Sequence, residues 1–125
     1  MKVRIVGSNA THESRTIKQK ATKIFQNAGY EILDEEDDSE DILFAVLDVY
    51  VGRCLNPDNY NELFTSASAD SAFDLGYAAA QGTYTIAYSE KGREMPLIKN
   101  MVNKFISDLN ALNKFIESER RKKND

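Results

Sequence analysis

Asp48, Asp70 and Asp74 are the side chains of this chain whose type and spacing best suit chemistry. Asp70 and Asp74 lie four residues apart in Ala69-Asp70-Ser71-Ala72-Phe73-Asp74-Leu75-Gly76-Tyr77-Ala78-Ala79-Ala80-Gln81-Gly82, so both carboxylates share a face if the segment is helical. Asp48 directly follows the apolar run Ile42 to Leu47. A carboxylate can attack an electrophilic carbon or stabilise developing positive charge, which suits the chemistry of a glycosidic bond. Each residue also has a structural role open to it. Asp70 suits a helix cap or first turn, where the helix dipole favours an acid. Asp48 suits the exit of a chain from a core. Asp74, between Phe73 and Leu75, is expected to point into a mouth formed by neighbouring loops.

Other polar residues cluster around two further segments. Gly7, Ser8, Thr11, His12, Ser14 and Arg15 surround the start of an expected helix, where backbone N–H groups and side chains can hold an anion. Helix capping explains Ser14 equally well. His12 is the only histidine, and a metal site built on it would need carboxylates alone as companions, so no metal is expected. Tyr50 and Arg53 share a connection with Asp48, suited either to stacking on and hydrogen bonding a base or to covering a sheet edge. Cys54 has no base beside it in sequence and reads as an unreactive thiol.

The elements that must position these groups follow from apolar spacing. Lys2 to Val6 reads as a strand, and Ile17, Ala21, Ile24, Phe25 and Ala28 recur at helical steps. On that helix Arg15, Lys18, Lys20 and Lys23 are expected to face outward, and Gly29 to end it. Tyr30 to Leu33 reads as a brief strand, and Asp34 to Asp41 as a solvated acidic loop. Ile42 to Leu47, apolar without alternation, reads as a strand covered on both faces. Val49 to Thr65 is mixed, with a turn at Pro57-Asp58 and either a short helix or a flap at Tyr60 to Phe64. A helix at about Ser71 to Gln81, closed by Gly82, leads to a strand from Thr83 to Tyr88. Leu97, Met101, Phe105, Ile106, Leu109, Leu112, Phe115 and Ile116 predict one long amphipathic final helix.

This order predicts a single α/β domain, residues 1–125, with a small three-layer and mostly parallel sheet of flavodoxin-like or Rossmann-like type. Ligands of such sheets bind at the carboxyl ends of the strands, where the chain order reverses. Three segments are expected to converge there: Gly7 to Arg15, Asp48 to Arg53, and Ser66 to Asp74.

Bulk properties narrow the function classes. A net charge of −4 argues against a nucleic-acid binder, which needs a contiguous positive surface. The single cysteine excludes an internal disulfide and suits a reducing compartment. No apolar run approaches a membrane span and Met1 to Arg4 leads into no signal-like segment, so a cytoplasmic protein is expected. Gly7-Ser8-Asn9 is not a dinucleotide fingerprint and the usual phosphate-loop lysine is absent, so no cofactor is expected.

Ala45-Val46-Leu47-Asp48, Ser68-Ala69-Asp70-Ser71-Ala72-Phe73-Asp74-Leu75-Gly76-Tyr77-Ala78 and Gly82 together resemble the nucleoside 2-deoxyribosyltransferase family, including the related 2'-deoxynucleoside 5'-monophosphate N-glycosidases. In that family an aspartate ends the central strand. A later segment runs Asp-Ser-Gly-Thr, two variable residues, then Glu, a hydrophobic residue and Gly. Val3 to Ser8 is similar to the family's first strand and ligand-contacting loop.

The resemblance implies a carboxylate nucleophile at Asp74, where the family has glutamate, and a base-handling aspartate at Asp48. The motif's aspartate falls on Ser68, its glycine on Asp70 and its threonine on Ser71; Asp70 can supply an acid that Ser68 cannot. It further implies a small-molecule nucleoside or nucleotide as ligand and a homodimer or larger homo-oligomer. Two alternatives remain beside the enzyme: a non-catalytic nucleotide-binding or sensing protein of this fold, and an interaction protein working through its last helix.

Overall fold

The fold was obtained as a computed structural model, which describes residues 1–7, 12–47, 69–89 and 96–124. Five strands form one sheet: β1 (Lys2–Gly7), β2 (Glu31–Ile32), β3 (Ile42–Val46), β4 (Tyr84–Tyr88) and β5 (Lys104–Ile106). Their spatial order is β2-β1-β3-β4-β5, and every neighbouring pair is parallel. This is the doubly wound, flavodoxin-like arrangement expected from the sequence, with its reversal of chain order at β1 and β3. Helices α1 (His12–Asn27), α2 (Ala69–Ala80), α3 (Pro96–Met101) and α4 (Leu109–Asn124) cover the two faces.

Strand alternation sorts the core into two layers. Val3, Ile5, Ile42, Phe44, Val46, Ile86 and Tyr88 face Ala21 and Phe25 of α1 and Leu112, Phe115 and Ile116 of α4. On the opposite face Val6, Leu43, Ala45, Leu47 and Ala87 meet Leu75 and Ala78 of α2, with Ile98 and Val102 packed beside them. All five residues of β3 are buried, as its unbroken apolar run requires of a central strand. Gly29 and Gly82 close α1 and α2 at φ of 90° and 81°, a left-handed conformation that glycine adopts without a Cβ penalty.

The predicted long final helix is instead α3, β5 and α4. Asn103 accounts for the break. Its side-chain Oδ1 accepts from the Thr85 backbone N–H at 2.9 Å and from Thr85 Oγ1 at 3.1 Å. Its own N–H faces Thr85 Oγ1 and the Thr85 carbonyl, each at 3.1 Å. That exchange starts the β4–β5 ladder, in which Ile86, Ala87 and Tyr88 stand opposite Lys104, Phe105 and Ile106. Asp108 Oδ1 then accepts the Ala111 N–H at 2.8 Å and caps α4. Helical periodicity through Phe105 and Leu109 was coincidental: pairing with the open edge of β4 satisfies backbone groups that a continuous helix would leave unpaired there.

The crossover from β2 to β3 holds no helix. Residues 33–41 pass over the α2 side of β1, anchored by Leu33 N–H on the Val3 carbonyl and Asp41 N–H on the Lys2 carbonyl, both at 2.9 Å. Without a helix, that part of β1 lacks an apolar cover, and Arg4 fills the space.

Candidate functional site

Arg4 lies in mid-strand between Val3 and Ile5, paired in register with Leu43, and its side chain is only 5% exposed. A guanidinium so placed needs acceptors on every side, since burying an unpaired charge costs several kcal/mol. The crossover supplies two. Arg4 Nη2 donates to Glu40 Oε1 at 3.1 Å, and Nη1 donates to the Glu35 carbonyl at 3.0 Å. Helix α2 adds a longer ion pair, with Asp74 Oδ1 3.6 Å from Arg4 Nη1, beyond hydrogen-bond distance.

The two ion pairs differ in kind. Glu40 is 3% exposed, so its pair with Arg4 is a buried one whose disruption costs about 3–5 kcal/mol. Asp74 is 35% exposed and its contact is long, so water screens the pair to about 1 kcal/mol or less. Glu40 and the Glu35 carbonyl therefore set where Arg4 sits, and Arg4 in turn sets a preferred place for the Asp74 carboxylate. The three side chains carry two negative charges against one positive. Arg4 Nε and Glu40 Oε2 are buried without a hydrogen-bond partner among the described residues.

Glu40 corrects the reading of Asp34 to Asp41 as a wholly solvated loop. Its neighbours are exposed, but Glu40 turns inward to Arg4. Lys18, expected to face outward, is likewise folded down. Its ammonium donates to the Gly7 carbonyl at 3.0 Å and to Glu35 Oε1 at 2.7 Å. Gly7 has a steric reason to be glycine, because a Cβ there would lie 3.0 Å from both Val46 Cβ and Lys18 Cδ. Arg4, Lys18, Glu35 and Glu40 are the charged residues that sequence reasoning missed. One signal was present: an arginine inside the apolar strand Val3-Arg4-Ile5-Val6 demands an acid wherever that strand is covered.

Among the residues singled out from sequence, Asp74 meets Arg4 and Ser71 is buried one turn earlier on α2. Asp70 lies in the first turn of α2, four residues before Asp74. His12 opens α1 and is exposed, its Nε2 3.5 Å from Thr16 Oγ1. Arg15 lines a groove of about 660 Å³ between α1 and the chain following β2, together with Lys18, Gln19, Thr22, Asp34 and Glu35. Asp74 does not line that groove. Gly7 ends β1 beside Val46, at the carboxyl edge of the sheet. Ser8, Asp48, Tyr50, Arg53 and Ser68 lie outside the described residues, as do the turn and flap expected between Val49 and Thr65.

Among the described residues no group of three or more His, Cys, Asp or Glu side chains could hold a metal ion. Nor is any described helix long and apolar enough to cross a membrane.

The fold superimposes on a 2-deoxyribosyltransferase from Bacillus psychrosaccharolyticus with a TM-score of 0.67, at 16% identity over 90% of each chain. A conserved protein from Enterococcus faecalis gives the same TM-score at 12% identity, over 95% of this chain and 98% of that one. No protein-family model and no curated protein matches the sequence. The likeness is one of fold. In this chain the sheet carries a buried charged cluster beside α2.

Proposed function

We propose that this protein cleaves the N-glycosidic bond of 2'-deoxynucleosides or their 5'-monophosphates, passing the deoxyribosyl group to a second base or to water. The observation that carries the reading is the Asp74 carboxylate. It stands on the helix after the central strand, oriented by Arg4 and one-third open to solvent, in a fold shared with a solved 2-deoxyribosyltransferase.

In the proposed reaction Asp74 attacks the anomeric carbon as the bond to the base nitrogen breaks. The electron pair of that bond leaves with the base, which is protonated by an acid; Asp48 and Asp70 are the candidates. The product is a deoxyribosyl ester of Asp74. A second base or water then attacks the same carbon, giving up its proton to the group that protonated the first base, and Asp74 departs as a carboxylate. Gly7, Ser8, His12 and Arg15 are assigned to the sugar or its 5'-phosphate. Tyr50, Arg53, Ser68 and Ser71 are assigned to the remaining substrate contacts. No cofactor and no nucleic acid enters this reading.

The deciding experiment incubates the protein with deoxynucleosides or deoxynucleoside 5'-monophosphates, with and without a second free base, and follows base release and exchange by chromatography. Loss of both in Asp74→Ala supports the assignment. Absence of both in the unaltered protein rejects it.

A second reading is favoured by one specific feature. Asp74 is one methylene shorter than the glutamate of the resembled family and is engaged with Arg4. A protein that keeps the pocket without the reach would bind nucleotides without turnover. Saturable heat of binding with no base release distinguishes it.

We also propose that the chain works as a homodimer or larger assembly. Phe73 and Tyr77 are exposed one turn apart on α2, 76% and 46% respectively, and Met101 is exposed beside Gly76. A second copy would cover apolar surface of this kind. Light scattering that finds only monomer rejects this.

A further inference from the structure

The arrangement around Arg4 points to a role in the second half of the proposed reaction. We propose that Arg4 is a positioning residue that makes Asp74 a good leaving group, so that the deoxyribosyl ester turns over rather than accumulating, with Glu40 setting the strength of that effect. This rests on the deoxyribosyl reading above.

Arg4 is buried and fixed by Glu40 Oε1 at 3.1 Å and the Glu35 carbonyl at 3.0 Å. Asp74 approaches the same guanidinium only at 3.6 Å and keeps a third of its side chain open. Arg4 is thus the rigid partner and Asp74 the adjustable one. A planar guanidinium can serve two carboxylates and a carbonyl at once, whereas a lysine ammonium is a compact point charge that settles on the nearest acid.

The charge balance then acts on the chemistry. A free Asp74 carboxylate carries a full negative charge next to Arg4. Once its oxygen is bonded to the anomeric carbon, that charge is gone and the attraction to Arg4 falls away. Arg4 therefore stabilises the enzyme before attack and after release, relative to the ester between them. When water or a second base forms its bond to the anomeric carbon, the bond to Asp74 breaks and its electron pair returns to the carboxylate. Negative charge develops on that oxygen, facing a cation already in place, which is the condition for electrostatic acceleration. Glu40 moderates the effect, because it shares Arg4 and leaves the trio with net negative charge.

Two variants should therefore move the ester in opposite directions. Arg4→Lys keeps a cation for Glu40 but withdraws the fork from Asp74. Glu40→Gln keeps an acceptor for Arg4 Nη2 and leaves the guanidinium with Asp74 as its remaining carboxylate among the described residues. Rapid acid quench during turnover of a deoxynucleoside, followed by intact-protein mass spectrometry, reads the fraction of protein carrying one deoxyribosyl group.

The expected ester level in Arg4→Lys is about fivefold above the unaltered protein, the ratio a screened ion pair of this kind supports, with steady-state turnover lowered to match and a burst of base release preceding it. In Glu40→Gln it falls below the unaltered level. An ester level in Arg4→Lys equal to that of the unaltered protein overturns the proposal, as does a raised level in Glu40→Gln. Circular dichroism checks folding. If Arg4→Lys does not fold, the direction of change in Glu40→Gln decides. An unaltered protein that neither releases base nor forms the ester rejects the deoxyribosyl reading itself, a result separate from failure of the Arg4 role.

Discussion

Arg4 and Asp74, one in mid-strand and the other on a helix far along the chain, meet at 3.6 Å beneath the helix-free crossover. The contact exists because the β2–β3 crossover lays no helix over the Arg4 part of β1, while α2 covers the sheet beside it. Arg4 occupies the space and draws acids to it, Glu40 into the interior and Asp74 only to its rim. The two partners differ in burial, so their removal has different consequences.

Glu40→Ala leaves Arg4 buried with one strong acceptor, the Glu35 carbonyl, and a screened carboxylate. Breaking a buried pair in this way costs about 3 kcal/mol or more, expected as a lower midpoint in urea unfolding with little change in slope. A loss under about 1 kcal/mol would mean that Glu40 does not hold Arg4 in solution.

Asp74→Asn separates chemistry from stability. At one-third exposure and 3.6 Å, its contribution to folding is expected within about 1 kcal/mol. As the proposed nucleophile it should carry nearly all of base release, with a drop on the order of 1,000-fold or more. A variant that is folded and still active removes Asp74 from the mechanism.

Asn103→Ala tests the junction that ends α3 and begins β5. It would leave the buried Thr85 N–H and hydroxyl without their acceptor, at a cost of about 1–3 kcal/mol. Amide exchange should quicken first at Ile106 and at Ser89, whose N–H donates to the Ile106 carbonyl at 3.0 Å. Uniform protection across β5 in the variant would contradict the role given to Asn103.

Alkaline pH should weaken the fold through Tyr30 and Tyr84. Burial, and then the negative charge of Glu119, raises both phenols above their ordinary value of 10.0. A raised folded value means the native state keeps its proton longer than the unfolded chain. The associated stability is whole below about pH 10 and declines as pH rises through the raised values. Ultraviolet titration of Glu119→Gln should bring both phenols down. Unchanged titration would show that Glu119 does not act on them.

How far the sequence alone reached can be judged residue by residue. Ile42 to Val46 announces itself, because an apolar run without alternation fits a strand covered on both faces. Gly29 and Gly82 mark helix ends for a local reason, the left-handed backbone that follows each helix. The fold class follows from such signals. Lys104 to Ile106 was not legible, because its apolar residues fall on helical steps and only the open edge of β4 makes a strand the better solution. Asp108 did carry a cap signal, overshadowed by that periodicity.

The sequence by itself determined the elements from β1 to β4 that the structure describes, their order, and the presence of a carboxylate on a helix between β3 and β4. These depend on hydrophobic period, caps and turns, which act over a few residues. The tertiary structure alone decided what Asp74 faces. Glu40 looks like one acid among many until the crossover carries it over β1, and Arg4 looks like a flaw in an apolar strand until Glu40 and Asp74 meet it. Charge pairing in an interior is a property of burial and proximity in space, and neither is written in the spacing of residues along the chain.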